Sequence, residues 1–173
     1  YECTPYPCEY QYAKQSMELT LRWAKRCKQH HEILSEKRKH RPLQALFGIV
    51  QGSIFPDLRI HCANELTSME LPGYAIGGLA VGEPRGNMTE TVAETTPHLP
   101  IEKPRYLMGV GLPHDMVELI GLGIDMFDCV LPTRSGRTGL AFTWEGELNI
   151  KNSKYQEDTS PLDSNCEIRG LNQ

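Results

Sequence analysis

At 173 residues, 39% hydrophobic and 23% charged, the chain has the size and composition of one globular domain, which argues against a disordered or membrane-spanning protein. Its formal net charge of −4 speaks against a broad, sequence-independent nucleic-acid surface, because a phosphate partner selects a basic excess. No apolar stretch reaches the roughly 18 to 20 residues that span a bilayer, so the sequence reads as cytoplasmic with no membrane partner.

Tyr1 opens the chain in place of Met, which leaves open that it is a piece of a longer protein. Six cysteines (Cys3, Cys8, Cys27, Cys62, Cys129 and Cys166) contain no CxxC pair. With no secretory leader, a disulfide framework is not expected.

In chain order, Ala13, Met17, Leu21, Ala24 and Cys27 recur at three- and four-residue spacing, predicting an amphipathic helix over about 10–36. Residues 22–41 carry eight Lys or Arg against two Glu. That run fits a solvated helix face, with a phosphate-facing patch as the other reading. ALFGIVQG (45–52) predicts a strand, and Leu58, Cys62, Leu66 and Met69 predict the helix after it. GYAIGGLAVGE (73–83) opens as a strand before a helix near 87–98. RYLMGVG (105–111) precedes a helix at 115–123, and IDMFDCVL (124–131) is the last strand.

Apolar runs alternating with helices predict α/β organisation and a parallel sheet buried on both faces. Ligands of such sheets sit at the carboxyl ends of the strands, here at Gln51, Gly77-Gly78, Met108-Gly109 and Asp128. From residue 140, LAFTWEGELNI predicts a β-hairpin around a Glu145-Gly146 turn, and a polar tail follows.

Asp128 is the most informative residue. A carboxylate in a run apolar on both sides must be paired, hydrogen-bonded, or placed where a cavity opens. Pro132 is read as ending the strand, so Asp128 either caps the following turn or stands at a strand end as a nucleophile toward a sugar anomeric carbon. Arg134 and Arg137, three apart in a Gly- and Ser-containing loop, either converge on one anionic or planar group or are surface charges. Gly77 and Gly78 either make a tight turn or let a flat ligand lie on bare backbone. Gln51 either reads a base edge or closes a turn. No dinucleotide or P-loop fingerprint occurs, and the six histidines form no metal or triad pattern.

FGIVQGS, GYAIGGLAVGE, KPRYLMGVG and GIDMFDCVLPTRSGRTGLAFTWEGELNIKN together resemble tRNA-guanine transglycosylase, also called queuine tRNA-ribosyltransferase, from about residue 2 to Cys166. The resemblance implies part of a TIM (β/α)8 barrel over 1–139, contributing its later strands. It implies a hairpin and the truncated start of a zinc-binding region over 140–173. It implies exchange of the wobble guanine of GUN-anticodon tRNAs for a deazaguanine base through a covalent glycosyl-aspartate. In that scheme Asp128 is the nucleophile in a mostly dry cavity, and Cys3, Gln51, Gly78, Leu79, Val81 and Met108 bind the heterocycle. Thr133, Arg134 and Arg137 grip the flanking anticodon nucleotides. Cys3 and Val81 look like the bacterial pattern, which implies the prequeuine base.

The chain departs from the family at three points. Tyr1 stands where a guanine-reading Asp belongs, and the second catalytic Asp has no counterpart. Of the zinc ligands only Cys166 is present, with Ile168 and Leu171 at the next two cysteine positions. The expectations are homodimerisation at full length, and self-association with no exchange activity for this chain alone. The alternatives are a non-catalytic tRNA- or partner-binding subunit of the same family, an unrelated barrel enzyme acting on a phosphorylated metabolite, and a fragment that does not fold.

Overall fold

A computed structural model of the chain describes residues 2–38 and 42–163. Helix α1 (Tyr10–Lys37) leads into strand β1 (Phe47–Val50), helix α2 (Pro56–Thr67), β2 (Gly73–Ile76) and α3 (Arg85–Thr95). A 3-10 turn (Thr96–His98) precedes β3 (Arg105–Leu107), α4 (Pro113–Gly121), β4 (Met126–Phe127) and α5 (Leu131–Thr138). The hairpin β5 (Leu140–Thr143) and β6 (Gly146–Asn149) closes the regular structure.

The first four strands form one parallel sheet in the order β1-β2-β3-β4, each paired to its successor, while β5 and β6 pair antiparallel as a separate unit. Parallel pairing in chain order requires a crossover each time, and α2, α3 and α4 supply them. Proline sets three helix starts, at Pro56, Pro113 and Pro132, where its fixed φ suits the first turn and its missing N–H has no intrahelical partner to lose.

The core lies between the sheet and its helices. Val50, Cys62, Leu66, Tyr74, Ile76, Val92, Leu107 and Leu119 are all buried. The spacing read over 58–69 holds: Leu58, Cys62, Leu66 and Met69 are all inward. On α1 the stripe is buried at Ala13, Met17 and Leu21, yet Ala24 is half-buried and Cys27 exposed. The second half of the helix therefore runs past the core. Its charges are partly met locally, with Lys28 to Glu32 at 2.9 Å and Lys25 to Glu65 at 3.7 Å, and Arg26 lies over the Trp23 ring.

Three expectations are corrected. The sheet is buried on both faces only at β2, whereas β4 is an edge strand whose Met126 is 46% exposed. The strand expected over 124–131 is two residues long, because Pro132 lies in the first turn of α5, which starts at Leu131, instead of merely ending a strand. The hairpin turn is Trp144-Glu145, with Gly146 already paired to Thr143.

Among the described residues β1 and β4 each have one unpaired side. Such edges present open N–H and C=O groups that template pairing with other chains. The 19.6 kDa chain is expected to sediment as species larger than a monomer at micromolar concentration. A monodisperse monomer with a single cooperative calorimetric transition would contradict this.

Candidate active site

The sheet register brings the carboxyl ends of β1 to β4 side by side. Gln51 follows β1, Gly77-Gly78 follow β2, Met108-Gly109 follow β3 and Asp128 follows β4.

At the β1 end, the Gln51 side chain is only 6% exposed and lies across the glycine pair. A Cβ on Gly77 would stand 2.6 Å from Gln51 Nε2, and one on Gly78 would stand 2.9 Å from Gln51 Oε1. Gly78 also adopts φ +71, which favours glycine. The pair is thus the floor on which the Gln51 amide rests, and the Gly77 N–H donates to the Val50 carbonyl at 2.9 Å.

Arg59 of α2 supports this turn from within and was not anticipated from sequence. It is 1% exposed. Its Nε donates to the Ser53 carbonyl at 2.6 Å, and Nη1 reaches the Val50 carbonyl at 3.5 Å. These two carbonyls flank Gln51. Burial pushes the guanidinium pKa down to about 10, with the charges of Cys62, Glu83 and Cys3 opposing, so Arg59 is a cation at neutral pH. The α2 spacing of Leu58, Cys62 and Leu66 gives no hint of it, since an Arg beside an apolar stripe reads as a surface residue.

In the loop after β2, Glu83 accepts hydrogen bonds from Ala80 N–H and from Val81 N–H, the latter at 3.0 Å. Leu79 is buried and Val81 exposed. Met108 is half-buried and Cys3 exposed. Cys3 belongs to the N-terminal segment that Cys8 anchors, through Sγ donating to Ser53 Oγ at 3.2 Å.

Asp128 stands one residue beyond β4 and is exposed. The dry cavity expected around it is not formed by the described residues, because β4 is the sheet edge. Two donors hold it: the Tyr106 hydroxyl at 2.6 Å and the Gly109 N–H at 3.1 Å, both on Oδ1. The Tyr106 hydrogen bond, then that from Gly109, holds the carboxyl below its usual range against a small desolvation effect, and the same contact raises the Tyr106 pKa. Hydrogen bonds to the charged form favour it, so Asp128 is ionised at neutral pH. Tyr106, the middle residue of β3 between Arg105 and Leu107, is the second residue the sequence reading passed over.

Tyr106→Phe removes the first of these donors. The Asp128 pKa is expected to rise toward the ordinary carboxylate value, moving the acid limb of any Asp128-dependent process to higher pH. A carboxyl 13C titration of both proteins reads this directly, and an unchanged pKa would refute it. A depressed carboxylate pKa stabilises the fold above its unfolded value and loses that contribution as pH falls through the folded one. The variant should accordingly lose little acid stability, since Asp128 is solvent-facing.

Thr133, Arg134 and Arg137 lie on α5, not in a loop, and all three are exposed. The three-residue spacing puts both guanidinium groups on one helix face. The Thr133 hydroxyl donates to the Val130 carbonyl at 2.9 Å. Among the described residues no hydrogen bond or ion pair engages either guanidinium.

Cys166 falls outside the described residues. Among the described ones no group of three or more His, Cys, Asp or Glu is arranged for a metal, and the five described cysteines are free thiols. Ile168 and Leu171, the other two positions compared with the family's zinc ligands, also fall outside the described residues. No helix among the described residues is long and apolar enough to cross a membrane.

Comparison with known proteins adds to this geometry. The family described as "Queuine tRNA-ribosyltransferase" matches residues 1–169. A protein of that name from Caldanaerobacter subterraneus subsp. tengcongensis is 55% identical over 166 residues, covering 96% of this chain and 42% of the relative. One from Mannheimia succiniciproducens is 54% identical over the same shares. One from Desulforamulus reducens is 51% identical, over 96% of this chain and 43% of its own length. The chain therefore spans less than half the length of the curated relatives it matches.

Proposed function

The chain belongs to the queuine tRNA-ribosyltransferase family, and from that premise we propose that the whole protein exchanges the wobble guanine of GUN-anticodon tRNAs for a deazaguanine base. The reading is carried by Asp128, an ionised and exposed carboxylate at the end of a parallel strand, beside three other strand ends that offer an amide, bare backbone and a thioether.

In the first step Asp128 attacks the ribose anomeric carbon. The glycosidic C–N bond breaks and the guanine leaves with its bonding electrons, taking a proton from an acid outside these residues. The tRNA is then held as a glycosyl-aspartate ester, the double-displacement logic of retaining glycosyl transfer. The incoming base gives up its ring N–H proton and attacks the same carbon, the ester C–O bond breaks, and Asp128 returns as a carboxylate. Gln51 and the Gly78-Leu79 backbone hold the heterocycle, Met108 covers its face, and Cys3 and Val81 line the side where a bacterial-type aminomethyl substituent would lie. Thr133, Arg134 and Arg137 on α5 meet the flanking nucleotides, a mode of single-strand readout that needs no globally basic protein. The parallel sheet in chain order is consistent with the later strands of a (β/α)8 barrel.

The test is transfer of radiolabelled guanine into an unmodified GUN-anticodon tRNA, run with the whole protein and with the 173-residue chain in parallel. Incorporation by the former and none by the latter is expected. Incorporation that ignores the anticodon guanine, or none with the whole protein, would overturn the reading.

A further inference from the structure

Arg85, the first residue of α3, reaches across to α4. Its Nε donates to Asp115 Oδ1, and its Nη2 donates to Glu118 Oε2 at 2.9 Å. The Asp115 side chain is 9% exposed against 53% for Arg85, so a nearly buried carboxylate in the first turn of α4 takes its cation from the first turn of α3. His114 Nε2 lies 3.3 Å from the same Asp115 oxygen. The body of α3 packs instead on α2 and the 3-10 turn. Among the described residues, Arg85 makes the ion pairs that join α3 to α4.

We propose that Arg85 is a positioning residue for base exchange. By tying the start of α3 to the start of α4, it fixes the turn that carries the heterocycle, Gly78 to Val81, against Gly109, whose N–H steadies Asp128.

The links between these points are short. Two residues before Arg85, Glu83 accepts from Ala80 N–H and from Val81 N–H, the latter at 3.0 Å, which fastens the loop after β2 to the start of α3. Ala80 stands at φ +59, a conformation that persists only where the surroundings impose it. A Cβ built on Gly109 would rest 3.8 Å from the Ala80 Cβ, in ordinary van der Waals contact, so the loops after β2 and β3 touch. Gly109 N–H donates to Asp128 Oδ1 at 3.1 Å, and α4, which carries Asp115 and Glu118, follows Gly109 in the chain. The half-exposed bridge adds little to stability. Its value is geometric, because a misplacement of about 1 Å between reacting groups can cost about 100-fold in rate.

The catalytic half of this inference rests on the function proposed above, whereas the coupling of the two loops to Asp128 does not, and two measurements on the whole protein separate them. The first is the kinetics of guanine exchange into unmodified GUN-anticodon tRNA by Arg85→Gln, with melting temperature as the control. With one of several restraints on the geometry removed, kcat is expected to fall about 10-fold, while the KM for guanine stays within about 3-fold and the melting temperature stays near that of the wild type. An unchanged kcat, or a loss confined to KM, would overturn the catalytic role.

The second measurement is a carboxyl 13C titration of Asp128, which needs no substrate. Arg85→Gln should raise the Asp128 pKa as the Gly109 donor loosens. Loss of a cation would act in the same direction, so Glu118→Ala is the decisive variant, and it also covers the case in which Arg85→Gln does not fold. It removes an anion together with one arm of the bridge: charge alone would lower the Asp128 pKa, whereas lost positioning should raise it. A fall or no change in Glu118→Ala would overturn the coupling. A rise in both variants of a protein whose wild type exchanges no base would overturn the proposed function while supporting the coupling.

Discussion

Asp128→Asn in the whole protein is expected to abolish base exchange, with a loss on the order of 10⁴-fold or more in kcat and no denaturation-resistant protein–tRNA adduct. The substitution keeps size and shape, and an amide oxygen can still accept from the Tyr106 hydroxyl and the Gly109 N–H that hold Oδ1. Folding should be unaffected, because the side chain is solvent-facing. What is lost is the charge and the oxygen lone pair able to form an ester. The measurement is adduct capture on a denaturing gel with unmodified GUN-anticodon tRNA, with melting temperature as the control. Retained exchange at wild-type rate would remove Asp128 from the chemistry and would favour a non-covalent mechanism or a binding-only role.

The second large effect falls on the turn beneath Gln51. Gly52 has φ +140, and a Cβ there would meet the Arg59 backbone nitrogen and Leu58 Cβ, each at 3.0 Å. Ser53, next in the chain, already stands at φ +53. Alanine at 52 would therefore combine a backbone conformation that side chains rarely adopt with crowding against the first turn of α2, neither of which a rotamer change relieves. A destabilisation of about 2–4 kcal/mol is expected, from backbone strain of about 1–3 kcal/mol plus the displaced neighbours. Guanine binding should be lost with it, because the turn sets where the Gln51 amide rests. Denaturant melts with urea report the first and equilibrium dialysis the second; a fully stable Gly52→Ala that binds guanine normally would refute both.

The alternation of elements was legible in sequence because it rests on period. The stripe through Leu58, Cys62, Leu66 and Met69 has one reading as a helix face, and short apolar runs between such helices have one economical arrangement. The four strand ends followed from that order, and the structure places Gln51, Gly78, Met108 and Asp128 along one edge of the sheet. What failed was information held by neighbours distant in sequence. Asp128 was expected in a dry pocket because the run around it is apolar, but enclosure depends on what lies beyond β4, which sheet order alone decides. Pro132 signals a break from one side and a helix start from the other, and local sequence does not say which. Arg59 and Tyr106 were missed for a related reason. Each matters through a partner outside its own element, the Ser53 and Val50 carbonyls in one case and Asp128 in the other, and no local pattern records such a meeting.

Both donors to Asp128 converge on a single oxygen, and this breaks the symmetry of the carboxylate. Rotation about the Cβ–Cγ bond would exchange the two oxygens, yet it would also abandon two hydrogen bonds at once, so the group is held in one rotational state. Oδ1 has its lone pairs spoken for. Oδ2 carries the more available electron density, and an electrophile approaching along the strand axis meets that oxygen in a fixed orientation instead of either of two interchangeable ones. In the proposed reaction the choice of attacking atom is thereby already made in the resting state of the site, and the freezing of that torsion is borne during folding.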